Sequence, residues 1–207
     1  MEAREIKMII GISGYARSGK DTFGLSLQRT LREHNIETEI NAFAYALKRD
    51  IEEFIFEKFR ISSFTKDDQE KFLIRPMLVA YGESKRNQNP NYWIEQIKKN
   101  FTNKLIIITD VRYENEAKWI LEENGILIHI NRRKNDGTYI EAPNPQEAKN
   151  APIVKKLADY NFYWDTIEES NGLIDQKKVD EIVKNFLHKE ILNKIINGKW
   201  FIFNKQS

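Results

Sequence analysis

The sequence predicts an α/β domain built on a parallel five-stranded sheet flanked by helices. Short apolar or β-rich runs at Lys7–Ser13, Glu37–Phe43, Lys104–Asp110, Ile126–Asn131 and Asn161–Ile167 alternate with segments of helical spacing. Parallel strands need crossover connections, and helices are the usual ones. The first run leads at once into a glycine-rich loop and then a helix, an order that puts ligands beyond the carboxyl ends of the strands.

Taken in order, Lys7–Ser13 reads as a buried strand, and Asp21–His34 places Phe23, Leu27, Thr30 and Leu31 close to helical spacing. After the second strand, Tyr45, Leu47, Ile51, Phe54, Ile55 and Phe59 lay a wide apolar stripe on a helix ending near Lys58. Helices follow over 67–82 and 90–100, the second with Pro90 near its start. The stretch KLIIITD is the clearest buried parallel-type strand, and Asn124-Gly125 stops the helix predicted over 114–123. Beyond the fourth strand, Arg132–Pro145 is polar and contains prolines, as a mobile loop or lid would. A short helix over 146–158, the last strand and a long amphipathic helix over Asp175–Ile196 complete the series. A homodimer through that last helix is left open.

A length of 207 residues suits one domain with small insertions. Apolar residues make up 41% and charged residues 31%, and the longest apolar runs are too short to span a bilayer. Met-Glu-Ala-Arg-Glu at the N-terminus lacks the basic-then-apolar order of a secretory signal, so a cytoplasmic protein without a membrane partner is expected. The absence of Cys excludes disulfides and thiolate metal sites, and His34, His129 and His188 are too dispersed to suggest a ligand cluster. A net charge of +2 is not the balance of a binder of nucleic acid polymers.

Chemistry concentrates first in GISGYARSGKDT. Gly14, Tyr15, Ala16, Arg17, Ser18, Gly19 and Lys20 form the pattern G-x-x-x-x-G-K, whose backbone N–H groups and following helix N-terminus can hold phosphate oxygens. Lys20 supplies a point charge to the terminal phosphates, and the flanking strand and helix favour nucleotide phosphate binding over a chance match in a turn. The next residue is Asp21, and the hydroxyl comes one position later at Thr22. That G-K-x-T offset is shared with adenylate-kinase-like loops and favours small-molecule kinases. Thr22 can reach phosphate or metal, while Asp21 either complements the helix N-terminus or helps hold hydrated Mg2+.

A second group is Thr109-Asp110-Val111-Arg112. Asp110, at a strand's carboxyl end, can orient Mg2+ through water and Arg112 can bind phosphate; alternatively the two pair with one another or cap the next helix. Arg75, Tyr81, Gly82, Arg86, Tyr92 and Trp93 combine guanidinium forks with aromatic faces, as a nucleotide acceptor pocket would. Taken singly, Trp93 fits a core and Arg86 a solvated surface. Arg132 and Arg133 leave the fourth strand and begin the lid, where closure could bring charge onto a transferring phosphoryl group; an exposed basic pair is the other reading, and Arg17 shares the ambiguity.

With these residues in view, the chain resembles the phage-type deoxynucleoside monophosphate kinases, a branch of the P-loop kinases. The matching stretches are GYARSGKDT, FAYALK at Phe43–Lys48, RPMLVAYGESKR at Arg75–Arg86 with NPNYW at Asn89–Trp93, ITDVRYENEA at Ile108–Ala117 and, more weakly, Glu147–Trp164. Asn197–Ser207 is not covered. The resemblance implies a three-layer P-loop kinase fold over 1–207, with 44–100 as a helical acceptor-binding region and 132–150 as a lid. It implies Mg2+-dependent transfer of the terminal phosphoryl group of ATP to a deoxynucleoside monophosphate, in a host cytoplasm if phage-encoded. Gly14–Thr22 would bind ATP, with Lys20, Arg17 and Arg132 catalytic. Lys48, Arg75, Arg86, Trp93, Asp110 and Arg112 would serve the acceptor, and Thr22, Asp21 and Asp110 the metal. A dephospho-coenzyme A or phosphomevalonate kinase, or an ATP-binding regulator that transfers no phosphate, are the alternatives.

Overall fold

A computed structural model describes residues 8–167 and 174–197, which divide into two compact units. The first comprises the residues up to Ile40 and from Thr102 onward; the second is Asn41–Phe101.

The first unit is organised by a five-stranded sheet of β1 (Ile9–Gly14), β2 (Thr38–Asn41), β3 (Leu105–Val111), β4 (Ile126–Arg133) and β5 (Tyr160–Asp165), in the order β2-β3-β1-β4-β5. Strand β1 pairs in parallel with β3 (Ile10 opposite Ile107) and with β4 (Ile10 opposite Ile126), and β4 with β5. Every residue of β3 is buried, as an Ile-rich strand covered on both faces must be. Helix α1 (Lys20–Glu33) leads from β1 toward β2 on one side, while α5 (Glu114–Glu122) leads from β3 to β4 on the other. The connections of β1 and β3 therefore part in opposite directions, and their carboxyl ends flank the switch point where such sheets hold ligands.

One face of the sheet buries Ile10, Ile12, Leu105, Ile107, Ile128 and Ile130 against Phe23, Leu27 and Leu31 of α1 and Val179 and Val183 of α7 (Gln176–Phe186). Phe23, Phe162, Trp164 and Phe186 meet there at tilted or edge-to-face angles, with centroids 4.9–6.1 Å apart. The long C-terminal helix expected from sequence is interrupted by a π turn at Leu187–Ile191 before α8 (Leu192–Asn197). Leu187, Ile191 and Ile195 remain fully buried, so the apolar stripe of this helix is used within the chain. Tyr160 Oη donates to the Glu190 carbonyl inside the π turn at 2.9 Å. The same turn carries His188, whose Nε2 lies 2.9 Å from that of His34, pairing two of the histidines that sequence reading kept apart.

Strand β4 runs two residues further than expected. Arg132 and Arg133 lie opposite Trp164 and Asp165 of β5, and Arg133 holds Asp165 through Nε at 2.6 Å and Nη2 at 3.1 Å. Helix α6 (Pro145–Leu157) also starts before the assigned lid ends. The irregular segment is thus confined to 134–144, with Tyr139 bridged back to Arg133.

The second unit contains α2 (Phe43–Phe59), α3 (Asp68–Gln88) and α4 (Tyr92–Lys98). Strand β2 ends at Asn41, and Phe43, placed in the strand from sequence, opens α2. Helix α3 starts where Asp67 accepts the N–H groups of Gln69 and Glu70, both at 2.9 Å. It does not stop near Gly82 because that glycine serves packing: a Cβ there would come within 2.6 Å of Leu47 Cδ1 on α2. Ile51, Ile55 and Ile74 form one buried cluster. Glu52 fixes the α2–α3 connection by accepting from Ser62 Oγ at 2.8 Å, from the Ser63 N–H at 2.7 Å and from Ser63 Oγ.

Candidate active site

The phosphate loop leaves β1 at Gly14 and enters α1 at Gly19. Gly14 (φ 142°), Arg17 (φ 65°) and Gly19 (φ 88°) all have positive φ. At Gly14 a Cβ would lie 2.7 Å from the Ile130 carbonyl oxygen, and at Gly19 one would lie 2.3 Å from Trp164 Cζ2, so both glycines are required by space and by backbone conformation. Trp164 covers the loop from β5 and donates its Nε1–H to the Ser18 carbonyl at 2.9 Å. Ser18 Oγ is buried without a hydrogen-bond partner, and Gly19 brings no side chain to cap α1. The loop thus presents a buried hydroxyl and an uncapped helix start, the features that suit a polyphosphate.

Lys20 Nζ donates to the carbonyls of Gly14 (2.9 Å) and Tyr15 (2.8 Å). Burial, and next the Arg112 guanidinium, lower its pKa, while Glu147, Asp21 and Asp110 pull it back up. Asp110 and Arg112 at the end of β3 therefore lie within electrostatic reach of the loop lysine, as the strand order dictates. Asp110 is 9% exposed. Arg112 does not simply cap the next helix; that work belongs to Glu116, whose Oε2 accepts the N–H groups of Arg112 (2.9 Å) and Tyr113 (3.1 Å). The Arg112 side chain instead faces Glu147 of α6, Nη1 to Oε1 at 3.5 Å, and Glu147 Oε2 accepts the Ala16 N–H at 2.8 Å.

Arg132 lies on the far side of the loop. Its Nη1 donates to the Arg17 carbonyl at 3.3 Å and its Nε to Thr166 Oγ1 at 3.1 Å. A shallow pocket beside the loop is lined by Gly19, Thr22, Arg132, Trp164 and Ile167. Asp21 and Arg17 are exposed and Thr22 is half-buried in the first turn of α1. Among the described residues there is no group of three His, Cys, Asp or Glu side chains that could hold a metal by themselves.

In the second unit Lys48 Nζ lies 5.7 Å above the Phe64 ring, Arg75 is exposed and Arg86 is half-buried. Asp50 Oδ2 accepts from both Tyr81 Oη and Tyr92 Oη at 2.8 Å. Burial first, and then the Asp50 carboxylate, raise both phenol pKa values, so these hydroxyls stay donors. Trp93, given to the acceptor by the resemblance, instead takes the core place that suits it singly. It is 1% exposed, donates its Nε1–H to the Gly82 carbonyl at 3.2 Å and packs edge-on to Tyr92, leaving no ring face for a base.

Sequence reading missed Glu147. Asn144-Pro145-Gln146-Glu147 has the form of a helix start, which assigns Glu147 to its own helix, and only the packing of α6 beside β1 turns its carboxylate to the loop.

A phosphate loop at the switch point of a parallel sheet, with strand-end Asp110 and Arg112 beside its lysine, defines a small-molecule kinase of the P-loop class. The family model of phosphomevalonate kinase matches residues 12–125, more than half of the chain, and the chain belongs to that family. A shikimate kinase from Bacteroides thetaiotaomicron is similar to it at 17% identity over 87% of this chain and 97% of that one, with a TM-score of 0.45. A thymidylate kinase from Ehrlichia chaffeensis shows 18% identity over 87% and 98%, with a TM-score of 0.39. A gluconokinase from Sinorhizobium meliloti shows 8% identity over 95% and 99%, with a TM-score of 0.41. No curated protein matches the sequence.

Proposed function

We propose that the protein transfers the terminal phosphoryl group of ATP to a phosphate monoester, and that this acceptor is a deoxynucleoside monophosphate, giving the diphosphate and ADP. The observation that carries the transfer is the placement of Lys20, Asp110 and Arg112 at the adjoining carboxyl ends of β1 and β3. The choice of acceptor is supported by the stretches RPMLVAYGESKR, NPNYW and ITDVRYENEA.

The loop fits a nucleotide polyphosphate: the Ala16 N–H already donates to an anionic oxygen, and Ser18 Oγ is buried without a hydrogen-bond partner. Asp21, Thr22 and Asp110 offer oxygen donors, the set a hard cation prefers, and would hold Mg2+ in part through its water shell. When bound, that ion neutralises charge on the phosphates. Residues Gly14–Thr22 bind and orient ATP, while Arg17 and Arg132 place cationic charge beside the same loop. Lys48, Arg75, Arg86 and Arg112 supply the charge that an acceptor phosphate needs. An acceptor phosphate oxygen forms the new bond to the terminal phosphorus as the bond to ADP breaks, so the protein's task is alignment and charge stabilisation.

The family match favours a second reading in which the acceptor is phosphomevalonate. Both acceptors are phosphate monoesters and both products are diphosphates, so the two readings share one phosphoryl-transfer chemistry. A panel of the deoxy- and ribonucleoside monophosphates and phosphomevalonate, each with Mg-ATP, separates them by which diphosphate forms. Turnover of deoxynucleotides is the expected result; turnover of phosphomevalonate alone moves the assignment to the second reading, and ATP binding without any acceptor turnover removes both.

A further inference from the structure

We propose that Glu147 is a built-in occupant of the phosphate loop, and that nucleotide loads by displacing its carboxylate. The inference rests on reading Gly14–Thr22 as an ATP site. Glu147 is the third residue of α6, and its own N–H is held by the cap residue Asn144 at 2.9 Å. A glutamate at that position ordinarily reaches back to the N–H of its cap residue. Here the carboxylate leaves its helix: Oε2 accepts the N–H of Ala16, 131 residues away, and Oε1 faces the Arg112 guanidinium. The side chain is only 11% exposed.

A loop N–H and a guanidinium are also what a phosphoryl oxygen seeks. The carboxylate therefore satisfies the loop with its own chain, and a phosphate cannot share those donors without bringing like charges together. Lys20 fits the same state, because its ammonium is turned onto the carbonyls of Gly14 and Tyr15 rather than bonded to Glu147. Nucleotide entry then exchanges Glu147 for phosphate and releases the start of α6 from the loop, together with the irregular segment 134–144 that precedes it. Loading of ATP and freedom of that segment become one equilibrium, and the docked state reduces apparent affinity by the fraction it occupies.

Glu147→Gln keeps the shape and removes the charge; Glu147→Asp keeps the charge and shortens the reach, and serves if the first variant folds poorly. Calorimetric titration of the full chain with Mg-ADP should show Glu147→Gln binding about tenfold more tightly than the parent, the effect of losing one charge-assisted contact. In the nucleotide-free protein, hydrogen exchange at the Ala16 amide should be faster in the variant, and Mg-ADP should abolish the difference. Unchanged or weaker ADP affinity overturns the proposal, weaker binding making Glu147 a support of the loop. A fall in kcat at unchanged affinity also overturns it, by placing Glu147 among the groups that act on the reacting atoms. If neither protein binds ADP, the ATP reading of the loop fails and the inference falls with it.

Discussion

Lys20 was identifiable from spacing alone, and the structure adds that its charge is held against a burial penalty. On the proposed function, Lys20→Ala should lower kcat about a hundredfold or more while the circular dichroism spectrum is retained, because the charge removed is the one assigned to the reacting phosphates. Gly19→Ala tests the loop differently. Its φ of 88° and the Trp164 ring at 2.3 Å from a Cβ predict a loss of roughly 1–3 kcal/mol in a urea melt, together with lost nucleotide binding. His129 was not informative in the sequence, yet β4 buries it to 2% exposure beside Ser13 Oγ. Burial, aided by Lys155 and Lys20, lowers its pKa from 6.5 to about 4. Between those values the unfolded chain binds more protons than the folded one, so stability falls as pH drops from 6.5 toward 4, by up to roughly 3 kcal/mol from this group. Comparing urea midpoints at about pH 7 and about pH 4.5, His129→Gln should lose less on acidification than the parent; equal losses would dismiss the effect.

At the scale of elements, α7 is tied to α1 by Asp180, which accepts from Ser26 Oγ at 2.6 Å and pairs with Arg29 at 2.6 Å. Ser26 is fully buried, so Asp180→Ala leaves its hydroxyl without this partner and should cost about 1–3 kcal/mol by thermal melting. An unchanged midpoint would show that the α1–α7 contact is held by its apolar residues alone. The strands were legible because Ile-rich runs such as Leu105–Ile108 bury on both faces and leave no ambiguity of period. Element ends were less legible. Gly82 reads as a terminator, but its missing side chain admits Leu47, and α3 continues to Gln88. Arg132 and Arg133 read as loop because they are charged, yet pairing with β5 and the Asp165 contact keep them in the strand. The π turn has no sequence periodicity of its own, since Leu187, Ile191 and Ile195 also suit an unbroken helix.

For the whole molecule, the parallel sheet and the placement of the loop at its switch point follow from the alternation of strands and helices and from one glycine motif. The parts of the site that required long-range packing did not. Glu147 and Ala16, or His34 and His188, meet across more than a hundred residues, and a single sequence carries no signal for such pairs. Trp93 shows the reverse: grouped with the arginines it suggested stacking on a base, whereas the core place that suits the residue taken singly is the one it occupies. Phosphorus NMR of a deoxynucleoside monophosphate incubated with Mg-ATP tests the central claim most directly. A new diphosphate resonance should grow in step with ADP for the parent protein and be suppressed about a hundredfold or more for Lys20→Ala. Equal product from the two proteins, or ADP released while every monophosphate stays unchanged, would contradict that claim.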